Sequence, residues 1–353
     1  MFPSRLASPA SRTVVNRVDH LYARVERPDG LFETLTKQLG LPRSYGFTRV
    51  PGFEGGAVSL GNIVFLEALR YSPDHEPARP RVPGFDGLAL ASPLSIDEAA
   101  TELSRRGISH APVVPFVGDP RPFGFAMPLH KGGLRETPGP LWSTVVLGGF
   151  LGDRKRARQF RFIPTSGTSR LARTLGCFQG RLLTSRRFGD AVMARSMTSD
   201  PTVWIQQFDA ADMSVANAAA AEELAARGGG PLGLERVREV VLGARNLERE
   251  QPRWQRLLDP TECGPDGAWH FNDGPALRLV EDDADRIVCL VCEVTSVERA
   301  RAFLAQERML DETEQGTVRV TRAPLQEMDI RLVEATASIG NAHAAGRRSA
   351  RAG

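Results

Sequence analysis

Residues 17–41 read RVDHLYARV followed by ERPDGLFETLTKQLGL, and this stretch decides the fold. The first part alternates as a strand does; the second places Leu31, Phe32, Leu35 and Leu39 at helical spacing. The same pattern returns without a gap at 286–310 (RIVCLVCEV, TSVERARAFLAQERML) and at 236–260 (RVREVVLGA, RNLEREQPRWQRLLDP). A weaker copy lies at 84–108 (GFDGLALAS, PLSIDEAATELSRRGI). Each copy is followed by short strand candidates punctuated by Gly and Pro, and the last of these also recurs. It reads IVFLEAL at 63–69, VWIQQF at 203–208, ALRLVE at 276–281 and IRLVE at 330–334. On that register Glu67, Gln206, Glu281 and Glu334 are equivalent. A unit too small to bury its own apolar face repeats until its neighbours cover it. The expected class is therefore α+β, built from four βαβββ modules.

Composition narrows the function. The chain has 353 residues, 41% hydrophobic and 25% charged, with a formal net charge of +3. That is enough apolar residue for more than one core, and too little charge to demand nucleic acid or a membrane surface. No window has the length of a transmembrane segment, and residues 1–13 lack the apolar core of a signal peptide. Cys289 and Cys292 form a C-x-x-C, but inside an apolar, β-branched strand, where residues three apart point to opposite faces. They read as buried thiols of a reducing, cytoplasmic protein. No GxxxxGK[ST], no GxGxxG after a strand and no G-x-S-x-G occurs, so nucleotide and serine-hydrolase sites are not supported.

Module one opens on VDHL (18–21) and closes on FLEA (65–68), with Gly61-Asn62 just before the closing strand. In these pieces the chain resembles the vicinal oxygen chelate superfamily, the glyoxalase, extradiol dioxygenase and bleomycin-resistance group. The resemblance spans roughly 14–73, 84–209 and 232–335. It implies that modules pair into eight-strand cups, giving two cup-shaped domains. The expected division is 1–210, a linker at 211–231, a second domain at 232–338 and a disordered tail at 339–353.

His20 is a polar residue in an apolar strand, and Glu67 is a carboxylate in an apolar run. A buried carboxylate is costly unless it is paired or bound to a metal. The resemblance implies that His20 and Glu67 hold a divalent transition metal (Fe, Mn, Zn or Ni), with Glu67 also serving as catalytic base. The family commonly takes a further His from the first strand of the paired module. Here that position is Gly87, and Asp86 beside it is expected to point to the other face. Gln206 is the expected substitute ligand, with His110 and His130 as further candidates. In the second half the equivalents of His20 are Glu239 and Cys289, and those of Glu67 are Glu281 and Glu334. With no imidazole among them, that half is expected to be metal-free, with a structural or dimerising role that would make a homodimer.

Residues 135–200 exceed a normal connection, and from Arg154 to Arg187 there is no acidic residue. This basic insertion is expected to cover the first cup, with Arg186 and Arg187 recognising an anion and Trp204 and Phe65 lining the substrate site. Nucleic acid is a disfavoured partner, since no nucleic-acid motif appears. The expected function is a metal-dependent dioxygenase, lyase or isomerase acting on a small oxygenated, anionic substrate. The alternative is a metal-free protein that binds or sequesters a small molecule between Trp142, Trp204, Phe65 and Phe53.

Overall fold

The computed structural model describes residues 12–50, 53–63, 65–71, 83–116, 142–152, 201–208, 211–311 and 316–335. Strand β1 (Arg17–Arg24) leads into helix α1 (Pro28–Glu33) and a π-helical turn (Thr34–Gln38). Strands β2 (Arg43–Val50), β3 (Phe53–Val58) and β4 (Phe65–Tyr71) follow. Next come β5 (Gly84–Ala91), α2 (Ile96–Arg105), β6 (Val114–Phe116), β7 (Trp142–Leu147) and β8 (Thr202–Phe208). Helix α3 (Ala211–Ala226) fills much of the expected linker. The second half runs β9 (Leu234–Ala244), α4 (Leu247–Leu258), β10 (Ala268–Trp269), β11 (Ala276–Glu281), β12 (Arg286–Val294), α5 (Val297–Gln306), β13 (Thr317–Arg319) and β14 (Ile330–Glu334).

Local chemistry explains the helix starts. Ser95 caps α2 in a full capping box with Glu98, while Asn246 and Ser296 cap α4 and α5 by accepting the Arg249 and Arg299 N–H groups. Pro28 opens α1, where its missing N–H costs nothing.

The first sheet has eight strands in the order β2-β3-β4-β1-β5-β8-β7-β6. The second has six, β10-β11-β9-β12-β14-β13, and not the eight expected. Its outer strands are lost to turns. Between α4 and β11 stand Pro260, Gly264, Pro265 and Gly267, which leave only the two-residue β10; a 3-10 turn at Ala323–Leu325 follows β13. In both sheets the centre is an antiparallel pair, β1 with β5 and β9 with β12. Each central strand has a parallel neighbour on its other side: β4, β8, β11 and β14.

One face of each sheet is covered by helices. Val18, Leu21, Leu66 and Leu88 meet Leu31, Leu35 and Leu103 there, in an apolar core continuous with Val240, Leu290 and Leu304 of the second half. Two polar side chains fasten the halves together. Asn62 bonds both ways to the Val237 backbone, each bond 2.8 Å long. It can do so because Gly61, at φ +93°, brings its backbone against Glu235, where a Cβ would collide with the carbonyl. Arg106, buried, donates to the carbonyls of Arg256, Leu257 and Asp259 while pairing with Glu102.

Cys289 and Cys292 are free, buried and in separate apolar clusters on opposite faces of β12, as the strand period requires. Burial pushes the Cys292 thiol up to about 12. No helix among the described residues is long and apolar enough to cross a membrane.

Candidate functional site

The helix-free face of the first sheet carries the candidate residues. The β1/β5 pair holds two bulges: Asp19 is the extra residue between Val18 and His20, and Asp86 the extra residue between Phe85 and Gly87. A bulge re-aims side chains. Asp19 consequently turns to His20, and its Oδ1 lies 2.6 Å from His20 Nδ1, with both residues buried. With Nδ1–H given to Asp19, the neutral imidazole carries its lone pair on Nε2. Asp86 was expected to face away; the bulge instead lets its Oδ2 take Arg24 Nη2 at 2.9 Å. Arg24 shares the face of His20 and Tyr22 by strand alternation.

Glu67 lies beside Tyr22 on the neighbouring strand. The row across the sheet runs Tyr45, Ala57, Glu67. Ala57 is small enough for the Tyr45 hydroxyl to reach over it and donate to Glu67 Oε1. Burial pushes the Glu67 carboxyl above the usual carboxylate range, and the Tyr45 bond and the nearby His20 only partly offset this. The two residues therefore act on each other electrostatically, with His20 held by Asp19 and Glu67 by Tyr45. Asp19, Tyr45, Arg24 and Asp86 were not singled out from sequence. The His20–Tyr22–Arg24 alternation carried a signal for Arg24; nothing local marked Tyr45.

Aromatic rings wall the pair. His20 meets Trp204 edge-on at 5.4 Å between centroids and Phe208 at 6.2 Å; Tyr22 lies 5.4 Å from Trp204. Gln206, between Trp204 and Phe208 on β8, accepts the Trp204 indole N–H at 2.8 Å.

The register corrects the expected equivalences. His20 faces Ala89 as Gly87 faces Tyr22, so His20 corresponds to Gly87 and Tyr22 to Ala89. Glu67 lies beside Tyr22, and Trp204 beside Ala89. Trp204, not Gln206, is thus the counterpart of Glu67. A slip of two residues preserves strand alternation, so the apolar pattern could not reveal it. In the second sheet Glu239 faces Val291 as Cys289 faces Val241, while Arg278 lies beside Val241 and Arg331 beside Val291. Arginines stand at the Glu67 positions there. Glu281 and Glu334 are exposed strand ends, and Glu334 accepts the Val297 N–H at the start of α5.

Among the described residues no three His, Cys, Asp or Glu side chains converge as a metal site needs. His20 and Glu67 supply two donors. The related positions hold Trp204 and Gly87, and the Tyr22 ring lies against Gly87. A set of two donors walled by rings does not fit a transition-metal centre, which takes three or more protein ligands. His110 is engaged elsewhere, by Ser104 and the Ala111 carbonyl, and burial lowers its pKa. His130, Arg186 and Arg187 lie outside the described residues. Phe65 pairs with His20 in the backbone register.

No family model matches the sequence, and no curated protein matches it in sequence. Solved structures resemble it in fold. Homoprotocatechuate 2,3-dioxygenase from Brevibacterium fuscum, in its anaerobic complex with 3,4-dihydroxyphenylacetate, matches with a TM-score of 0.50 at 9% identity, over 95% of this chain and 86% of that one. The 2,3-dioxygenase LapB from Pseudomonas sp. KL28 gives 0.48 at 10% identity, over 92% and 94%. A hypothetical protein from Staphylococcus aureus gives 0.48 at 8%, over 90% and 99%. The first of these establishes the fold: that of the extradiol dioxygenases, a vicinal oxygen chelate fold.

Proposed function

We propose that this chain is an enzyme of vicinal-oxygen-chelate type that moves a proton on a small oxygenated substrate at the His20–Glu67 pair. The single observation that carries this reading is the pairing of a carboxyl whose pKa burial raises with an imidazole oriented by its own carboxylate. Enzymes tune acid–base groups in this way. Glu67 as carboxylate would take a proton from carbon next to a carbonyl, with the electron pair moving onto the carbonyl oxygen. His20 would donate from Nε2 to that oxygen, stabilised by Asp19. Returning the proton at the neighbouring carbon completes an isomerisation; loss of a neighbouring leaving group completes a lyase reaction. The substrate would lie against Trp204. Arg24 beside Asp86 places a cation on the same face for an anionic group, alongside the role proposed for Arg186 and Arg187. The repeat is part of the same reading: four modules pair two by two, supported by bulge residues Asp19, Asp86, Arg238 and Val288, each just before the position of His20, Gly87, Glu239 or Cys289.

A second reading keeps a divalent metal on His20 and Glu67, with the Gln206 amide as third donor. What favours it is that Trp204 and Phe208, on either side of Gln206 along β8, both contact His20.

Deuterium uptake from D2O into a panel of 2-oxo acids and hydroxyketones, followed by proton NMR, tests the proposal without a known product. Uptake by the wild type, lost about 100-fold or more in Glu67→Gln and insensitive to EDTA, is expected for general acid–base catalysis. Uptake abolished by EDTA and restored by Mn(II) would favour the metal. No uptake across the panel, or uptake equal in Glu67→Gln, would remove Glu67 from the chemistry.

A further inference from the structure

The helix-free face of the second sheet carries a charge arrangement that the first sheet lacks. Three guanidinium groups meet one carboxylate: Asp329 Oδ2 lies 2.8 Å from Arg322 Nη2 and 3.0 Å from Arg331 Nη2, and Oδ1 lies 3.4 Å from Arg319 Nε. The Asp329 side chain is 3% exposed, whereas Arg319, Arg331 and Arg322 keep 26%, 30% and 45% of their surface. On β11, Arg278 clasps Glu239 with bonds of 2.7 and 3.1 Å. Between the two clusters the floor is apolar: Val241, Cys289 and Val291. Both clusters reach that floor. Burial pushes the Cys289 thiol up to about 11, with Arg331 and Arg319 opposing the shift and Asp329 and Glu239 adding to it. So high a value makes the thiol a poor nucleophile, and Cys289 serves as floor.

One buried carboxylate cannot neutralise three guanidinium groups, so positive charge remains where the arginines open to solvent. Asp329 and Glu239 also fix the arginine rotamers before any ligand arrives, which lowers the ordering cost of binding. Planar guanidinium groups held side by side match the oxygens of phosphate and carboxylate groups. We propose that the second sheet binds a small oxyanion, a phosphate- or carboxylate-bearing molecule, through Arg319, Arg322 and Arg331, with Arg278 on the opposite rim. This stands independently of the chemistry proposed for His20 and Glu67. It also gives the second half a ligand in place of the metal its register positions do not support.

Calorimetric titration of the full-length chain with inorganic phosphate, and separately with malonate, tests it and distinguishes the two oxyanion chemistries. Saturable binding of at least one probe is expected. Arg331→Gln and Arg319→Gln should weaken it about tenfold or more, the loss of one charge-assisted hydrogen bond. Asp329→Asn should tighten it, because the competing carboxylate is removed while the shape is kept. A purely structural network predicts no such gain. Arg286→Gln, whose guanidinium pairs with Asp282 at the start of β12, should leave binding unchanged. If Arg331→Gln does not fold, Arg322→Gln takes its place, being the most exposed of the three. Absence of saturable binding by either probe, binding indifferent to the Arg319 and Arg331 substitutions, or weaker binding in Asp329→Asn would each overturn the proposal.

Discussion

The ring of Tyr22 lies against the backbone of Gly87, so close that a Cβ on residue 87 would fall inside the ring's van der Waals envelope. The two residues face each other across the central strand pair of the first sheet. Gly87 is thus explained by packing: it gives up a side chain so that its neighbour can fill the space. Where the resembled family places an imidazole, this chain places a phenol ring from the opposite strand. Gly87→Ala should therefore cost about 1–3 kcal/mol, as overpacking does, read as a lower midpoint in urea. The double variant Tyr22→Ala/Gly87→His should relieve the clash and add a third donor. It should bind Co(II) stoichiometrically, as its visible absorption would report. Gly87→Ala as stable as the wild type would show that the ring moves freely.

Glu67 should make stability depend on pH in an unusual direction. Its folded pKa lies above the model value of 4.5, so between those two values the folded state holds the proton more readily than the unfolded one. Stability contributed by protonated Glu67 is present below about 4.5 and is lost as pH rises through the folded value. Glu67→Gln, which can still accept from Tyr45, should raise the melting temperature at pH 8 by about 1–3 °C. The gain should vanish near pH 4. A variant less stable than the wild type at pH 8 would mean that the carboxylate is well compensated.

Glu102 behaves oppositely. Hydrogen bonds from Arg105 and then Arg106, stronger together than its desolvation, hold its carboxyl down to about 2. Its contribution is present above about 4.5 and is lost as pH falls toward 2. Arg106→Met would strip the buried carboxylate of a partner and free three carbonyls of the second half. The expected loss is about 3–5 kcal/mol, the range for breaking a buried pair. Thermal unfolding at pH 7 checks this, and a change under 1 kcal/mol would show that Arg105 alone suffices.

Asn62→Ala should cost about 1–3 kcal/mol, because the Val237 N–H and C=O both lose their bonds in a closed junction. Hydrogen exchange at Val237 should accelerate in the variant. Unchanged exchange there would mean that water replaces the amide.

The strand–helix units were legible because their signal is periodic: Leu31, Phe32 and Leu35 are buried as their spacing requires, and β1, β5, β9 and β12 all form. The placement of His20 and Glu67 on adjacent strands was legible too, since both stood out as polar residues in apolar runs. What stayed hidden depends on register and bulges. A strand slipped by two residues has the same apolar face, so Gln206 could pass for Trp204 until the hydrogen-bonded ladder fixed the pairing. Asp19 and Asp86 seemed outward-pointing by alternation, and only an extra residue in each strand turns them inward. Tyr45 reaches Glu67 across an intervening strand, a contact between residues far apart in sequence that no local pattern encodes. The second sheet lost its outer strands where Pro and Gly broke the ladder.

Metal loading tests the central claim, that His20 and Glu67 act as a proton-transfer pair. Protein purified without chelators is titrated with Co(II) and followed by visible absorption, beside His20→Ala and Gln206→Ala. The account predicts weak uptake well below one equivalent, with no ligand-field band and little difference among the three proteins. One tightly bound equivalent in the wild type, lost in both variants, would contradict it and place a metal at the centre of the reaction.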